Sequence, residues 1–260
     1  MKTPLHISRL LTLGLLCLLS LTVSAAETLT SPDGSVQAVF EVRDGAPVYS
    51  LKYKSADVLA ASRLGLNLAD AFRGGFAVAD SGLGDQDEQW KPVWGERASI
   101  PDRFNSLTVT LKETDPRGRQ LILEMRAYDE GLAFRYKLPF SADTTWQIAS
   151  EATEFRFPQG SAAFAIKSTE DTFPQDPIPL AELPKSVMAP FTVRLPDGKY
   201  ASVLEAYAVS YPRCRIGKRE PGAAGIELQG KAEGRGAFTT PWRVVLLGDN
   251  EGRLVEHETL

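Results

Sequence analysis

The sequence predicts an all-β fold of the sandwich or barrel kind, on three observations. Apolar residues recur at every second position in short runs. Glycine, proline and aspartate turn signals separate the runs at roughly 8–12-residue spacing. No stretch of a dozen residues carries a 3.6-residue period with caps. The 17 prolines and 21 glycines among 260 residues suit the many turns of such a fold.

The runs follow in order. Val36, Ala38, Phe40 and Val42 share one face of a strand, with Gln37, Glu41 and Arg43 on the other. Asp44-Gly45 is a hairpin signal, and Tyr49, Leu51 and Tyr53 alternate after it. Leu107, Val109 and Leu111 repeat the pattern. Pro116-Arg117-Gly118 turns the chain into Leu121, Leu123, Met125 and Ala127. Asp129-Glu130-Gly131 turns it again into Phe134, Tyr136 and Leu138. Phe155 with Phe157, Val193 with Leu195, and Val245 with Leu247 predict further strands. Residues 82–92, 173–184 and 219–236 read as loops. No fixed-period repeat or linker divides the chain, so one unit is expected over 26–260.

The first 25 residues read as a secretory signal peptide. Lys2 and Arg9 give a basic start, residues 10–23 carry no charge, and Val23-Ser24-Ala25-Ala26 offers small residues for cleavage. The apolar stretch is shorter than the roughly 20 residues of a membrane-spanning helix. Cys17 sits inside that stretch before Leu18 and Leu19, which argues against a lipid anchor. Cleavage removes two positive charges and takes the net charge from −4 to −6. No basic patch stands out, which excludes nucleic acid and anionic membrane as expected partners. Cys214 is then the lone cysteine, and secretion without disulfides points to a bacterial periplasm or cell surface. His6 leaves with the signal and His257 is the fourth residue from the end of the sequence. That scarcity argues against Ser-His-Asp, Cys-His and histidine–zinc chemistry.

Two features carry candidate sites. Residues 201–213 hold Glu205 as their single charge before Arg213, in a run apolar or small on both faces. Such a run predicts a strand buried on both sides. Its carboxylate is either a buried ion-pair partner or strand end, or a ligand or catalytic group. Trp90-Lys91-Pro92-Val93-Trp94-Gly95-Glu96 sets two indoles four residues apart with a carboxylate beyond them. Exposed indoles would suit sugar rings, with Trp94 and Glu96 as contacts; buried ones would be core anchors. Asp85-Gln86-Asp87-Glu88 lacks the glycine and distal glutamate of a calcium loop and reads as solvated. Glu170, Asp171 and Asp176 read as surface loop, and Arg243 as a strand brace.

An ordered set of motifs makes the chain resemble the N-terminal domain of glycoside hydrolase family 97, a family of α-glucosidases and α-galactosidases. The set begins with Ser31-Pro32-Asp33-Gly34, Ser62-Arg63-Leu64-Gly65-Leu66 and Pro92-Val93-Trp94-Gly95-Glu96. Tyr128-Asp129-Glu130-Gly131-Leu132-Ala133-Phe134-Arg135-Tyr136 follows. Asp197-Gly198-Lys199-Tyr200, Leu204-Glu205-Ala206 and Thr240-Pro241-Trp242-Arg243 complete it. The resemblance implies a β-super-sandwich of the galactose-mutarotase type that packs on a catalytic (β/α)₈ barrel. It implies that catalytic carboxylates belong to the barrel, so none is assigned here. It further implies that Glu205 helps to coordinate a calcium ion shared with the barrel. The family usually carries Asp-Tyr shortly after that glutamate, where this chain has Ser210-Tyr211.

The expected function is therefore the non-catalytic part of a secreted, calcium-dependent α-glycosidase acting on α-glucosides or α-galactosides. The alternative is a free-standing carbohydrate-binding protein using the Trp90 and Trp94 region. A mutarotase-like enzyme would want a His-plus-Glu pair, and only His257 is on offer. If Glu205 is instead a structural ion-pair partner, neutralising it should strand a buried cation at about 3–5 kcal/mol.

Overall fold

The computed structural model describes residues 26–94, 97–168, 174, 176–219 and 222–256. Glu96, Glu170, Asp171, His257 and the expected signal peptide lie outside the described residues.

Period-2 alternation becomes four antiparallel sheets. The largest has ten strands. Across it from one edge lie Ile178–Pro179, Ala162–Phe164, Phe191–Arg194, Tyr200–Ala206 and Trp242–Gly248. Gly131–Leu138, Gln120–Tyr128, Ile100–Glu113 and Phe76–Trp90 continue it to the other edge, and Phe238–Thr239 also pairs with Gly131–Leu138. The second sheet is a meander of Glu27–Thr30, Val36–Arg43, Ala46–Tyr53 and Ala56–Arg63. The third holds Ala232–Arg235, Thr145–Glu151 and Leu66–Leu68. The fourth holds Glu154–Phe155, Ala223–Leu228, Cys214–Arg219 and Ser186–Met188. A single bridge from Ala60 to Arg156 ties the meander to the fourth sheet.

The core forms where inner faces meet. Val36, Ala38 and Phe40 of the meander join one buried cluster with Leu107, Val109, Leu111, Leu121, Leu123 and Met125 of the large sheet. Tyr49 packs its ring 5.3 Å from that of Phe134, which also meets Phe155 at 6.5 Å. Each fully buried Leu, Val or Phe contributes about 1.5–3 kcal/mol relative to exposure. The alternating residues read from the sequence are therefore the ones that hold the two layers together. Outside the strands, regular structure among the described residues is a 3₁₀ turn, Leu180–Glu182, and a short helix, Glu251–Glu256.

Two turns show how local chemistry sets register. Arg43 pairs with Ala46, so Asp44 and Gly45 form the whole loop, with φ of 50° and 75°. Both central residues are left-handed, as the twist of a two-residue hairpin requires. Gly131 faces the Trp242–Gly248 strand where a Cβ would lie 2.2 Å from the Val245 carbonyl oxygen. Any side chain there would part the two strands.

Two expected loops are strands. Residues 82–90 continue the long edge strand Phe76–Trp90, which pairs throughout with Ile100–Glu113. Residues 223–228 and 232–235 are strands too. Residues 82–90 escaped the pattern because their side chains are mostly exposed on both faces, so no alternation survives. Backbone pairing alone makes them a strand. The converse holds for residues 201–213. The strand buried on both sides ends at Ala206, and a loop follows.

Candidate functional site

Glu205 stands at the end of the Tyr200–Ala206 strand, directly opposite Arg243 on Trp242–Gly248. Tyr200 to Val203 are buried, whereas Leu204, Glu205 and Ala206 are half-buried as the strand reaches the sandwich end. The Glu205 side chain is 17% exposed and that of Arg243 only 1%. Glu205 borders an open groove of about 340 Å³ with Met188, Ala189, Pro190, Leu204, Arg213 and Cys214.

Arg243 is the hub. Its Nε donates to Glu151 Oε2 at 3.2 Å and its Nη2 donates to Glu151 Oε1. Its Nη1 donates to Glu205 Oε2 at 2.8 Å. The Cys214 backbone N–H donates to the other Glu205 oxygen at 3.3 Å. Glu151 is fully buried and accepts further hydrogen bonds from Tyr211 Oη at 2.9 Å and Thr153 Oγ1 at 3.2 Å. Thr153 in turn shares a 2.8 Å hydrogen bond with Tyr136 Oη, which accepts the Gly65 N–H at 2.9 Å. The polar chain thus runs from Gly65 under the core to the groove. A buried arginine is tolerable only because one carboxylate meets it side-on with both oxygens. Within the Glu151–Arg243–Glu205 set one negative charge is left over, and Glu205 carries it to a groove that Arg213 also lines.

The electrostatics follow that geometry. Burial pulls the Arg243 pKa down, but the charge and hydrogen bonds of Glu151 outweigh it, and the net direction is up. Burial and then the Glu151 charge push the Tyr211 hydroxyl up, and the same two causes raise Tyr136. Burial pushes the Cys214 thiol up to about 12, against the opposing charge of Arg243. A thiol held neutral in this way is not a nucleophile.

The loop that leaves Glu205 is strained. Tyr207 and Ser210 hold φ of 59° and 55°. Left-handed backbone costs of order 1–3 kcal/mol for a residue with a side chain, and such outliers cluster at functional positions. The loop leaves Tyr207 and Val209 in solvent, 76% and 60% exposed, and returns Tyr211 to the network.

The expected strand-brace role of Arg243 agrees with its pairing. Sequence reasoning missed Glu151, and met Tyr211 only within Ser210-Tyr211, without a role. Glu151 breaks the alternation of Thr145–Glu151: the register shifts between Ile148 and Ser150, and that shift turns the carboxylate inward under Arg243.

Trp90 and Trp94 are not core anchors. They sit at the end of the long hairpin with 51% and 87% of their surface exposed, and Val93 between them is 98% exposed. Trp90 closes the pairing opposite Ile100. Register runs from Glu205 through Arg243, Phe134, Met125 and Leu107 to Leu83. Trp90 lies seven residues beyond that level, on a strand five places away. At about 3.3 Å per residue and 4.8 Å per strand, the two features are on the order of 30 Å apart. Within this chain they form two surfaces rather than one site.

Among the described residues no three His, Cys, Asp or Glu side chains converge as a metal site. Calcium takes 6–8 oxygens. Glu205 offers the right kind of donor for one such ligand and falls short of a complete site.

Residues 29–260 match the family model described as glycosyl-hydrolase 97 N-terminal. A retaining α-galactosidase of Bacteroides thetaiotaomicron is 23% identical over 223 residues, 78% of this chain and 32% of that protein. A glycoside hydrolase family 97 enzyme from Pseudoalteromonas sp. strain K8, solved in complexes with panose and with acarbose, superposes with a TM-score of 0.82 at 30% identity. That superposition covers 88% of this chain and 36% of the enzyme. The chain therefore spans about a third of the length of these relatives. The Slr1438 protein of Synechocystis sp. PCC 6803 shares the fold at a TM-score of 0.54 and 8% identity, over 89% of this chain and 99% of its own.

Proposed function

Because the chain belongs to the glycosyl-hydrolase 97 N-terminal family, we propose that it is the non-catalytic N-terminal domain of a secreted, calcium-dependent α-glycosidase of a bacterial periplasm or cell surface. The domain packs on a catalytic barrel and lends Glu205 to a calcium ion. Its substrates are α-glucosides or α-galactosides. The observation that carries this reading is the family match over 29–260 in a chain about a third as long as its enzymatic relatives. A bound calcium would supply a fixed positive charge able to polarise an oxygen of the substrate. This chain's own part is to hold the Glu205 carboxylate at the open end of the sandwich. Trp94, with Glu96 two residues on, is a separate surface for sugar rings.

Two expressed forms test the reading: residues 26–260 alone, and the protein carried to the end of its reading frame. The short form is expected to release no nitrophenol from aryl α-glucoside or α-galactoside, since a glycosidase needs two placed carboxylates flanking the bond. The long form is expected to release it and to lose the activity on chelation of calcium. Turnover by the short form, free of other glycosidases, overturns the non-catalytic assignment.

A second reading, a free-standing carbohydrate-binding protein, draws on the Synechocystis chain, whose whole length is taken up by this fold. Binding of α-gluco-oligosaccharide by the short form, abolished by Trp94→Ala, would favour it.

A further inference from the structure

We infer that Arg243, clamped from beneath by Glu151, is a positioning residue that fixes the Glu205 carboxylate for its cation. The inference rests on the reading of Glu205 as a calcium ligand. Its grounds are geometric.

A glutamate at a strand end has three rotatable bonds and would ordinarily sample several rotamers. Here both of its oxygens are engaged, Oε2 by the Arg243 guanidinium at 2.8 Å and Oε1 by the Cys214 N–H at 3.3 Å. The guanidinium cannot swing, because two of its nitrogens are held by Glu151, which Tyr211 and Thr153 hold in turn. The Tyr211 ring lies 5.7 Å from the guanidinium carbon and stacks on Phe238 at 6.0 Å. A continuous set of hydrogen bonds therefore links the Glu205 carboxylate to the buried Glu151.

Charge adds to the argument. Glu151 matches the Arg243 charge from below, so Arg243 orients Glu205 without leaving the site cationic. A lone arginine at this place would repel a metal ion. The pair beneath Glu205 is neutral, so matching Arg243 does not fall to Glu205 alone. Outer partners that orient a metal ligand typically change affinity by about 10–100-fold when removed.

The test uses the protein at its full encoded length, with calcium itself as the probe, titrated against a chelator. Glu205→Gln reports on the reading; Arg243→Lys and Tyr211→Phe report on the inference. Arg243→Lys keeps the charge but cannot fork to both carboxylates. It is expected to weaken calcium binding about 10–100-fold. Activity should return at saturating calcium, a recovery that mere loss of structure would not show. Tyr211→Phe keeps the ring and loses one hydrogen bond to Glu151, and should shift affinity less in the same direction. If Glu205→Gln weakens binding while a folded Arg243→Lys binds calcium as tightly as the parent, the positioning role is overturned and the ligand reading stands. If Arg243→Lys does not fold, Tyr211→Phe decides, and an unchanged affinity there overturns the inference. If Glu205→Gln leaves affinity unchanged, both fall.

Discussion

The turn that joins Ile100–Glu113 to Gln120–Tyr128 and the open end of the Tyr200–Ala206 strand each set arginine against carboxylate, arranged in opposite senses. At the turn end a carboxylate is buried and the arginines reach water. Glu113 is fully buried and is held by Arg117 and Arg119, which are 31% and 18% exposed, and by the Arg73 N–H. Asp70 and Asp115 complete the set, and Arg117 and Arg119 also donate to the Ala71 carbonyl. The Arg73 guanidinium lies 3.9 Å from Asp70, so three acids meet three arginines there and the charges cancel. At the other end the arginine is buried and a carboxylate reaches the groove, with one negative charge over. The first cluster fastens a loop to a hairpin turn. The second keeps a charged oxygen pair presented outward.

The sharpest way to break this comparison is to remove the buried member of each cluster. Glu151→Gln should destabilise by about 3–5 kcal/mol, because Arg243 is left buried with one partner at its edge. Glu113→Gln should cost about 1–2 kcal/mol, since Arg117 and Arg119 can turn to water and Asp70. Urea melts of both variants measure the difference, and equal losses would erase the distinction between a buried cation and a buried anion.

The two clusters should also separate by pH. Tyr136, tied to the Glu151 network, and Tyr49 beside it are raised in the fold above their ordinary 10.0, by burial first. The folded state then holds protons that the unfolded chain has lost, so stability should fall as pH rises beyond about 10. Glu113 is lowered, first by the hydrogen bond from Arg119. Burial works to raise Asp33, but hydrogen bonds from Ser35 and Ser31 prevail and bring it down to about 2 from 3.8. These groups stabilise above their unfolded values, and that stability should drain away as pH falls from about 4 toward 2. Melting temperatures from pH 2 to 11 in Glu113→Gln and Tyr136→Phe should each blunt one limb only. A variant that blunts both would show that the clusters are coupled.

The smallest expected effect is at Glu205. Glu205→Gln should change the stability of the 26–260 domain by no more than about 1 kcal/mol. The sequence-based expectation of a 3–5 kcal/mol loss for an ion-pair partner does not carry over, because Arg243 keeps Glu151 when Glu205 is neutralised. Glu205 is both an ion-pair partner and a group at an opening, so stability cannot tell the two roles apart. A loss above about 3 kcal/mol would show that Arg243 depends on Glu205 as much as on Glu151.

Much of the fold is fixed by local pattern. Val36, Ala38 and Phe40, or Leu121, Leu123 and Met125, can alternate only if a strand turns one face to a core, and the inner faces of both layers follow from that. Asp44-Gly45 specifies its hairpin because few dipeptides accept two left-handed residues. The motif order around Glu205, and the family it points to, are also properties of the linear chain. Tertiary structure decided the rest. Residues 82–90 are a strand because a partner strand satisfies their backbone, which no side-chain period records. Trp90 and Trp94 are exposed because their hairpin runs past the neighbouring strands, a matter of relative length. Glu151, Arg243 and the stretch holding Glu205 and Tyr211 are three separated segments, and they meet only when the third sheet closes over the end of the first. Hydrophobic alternation acts between neighbours along the chain and so can be read there. The pairing of buried charges depends on which layers come to face each other, and it exists only once the sandwich has closed.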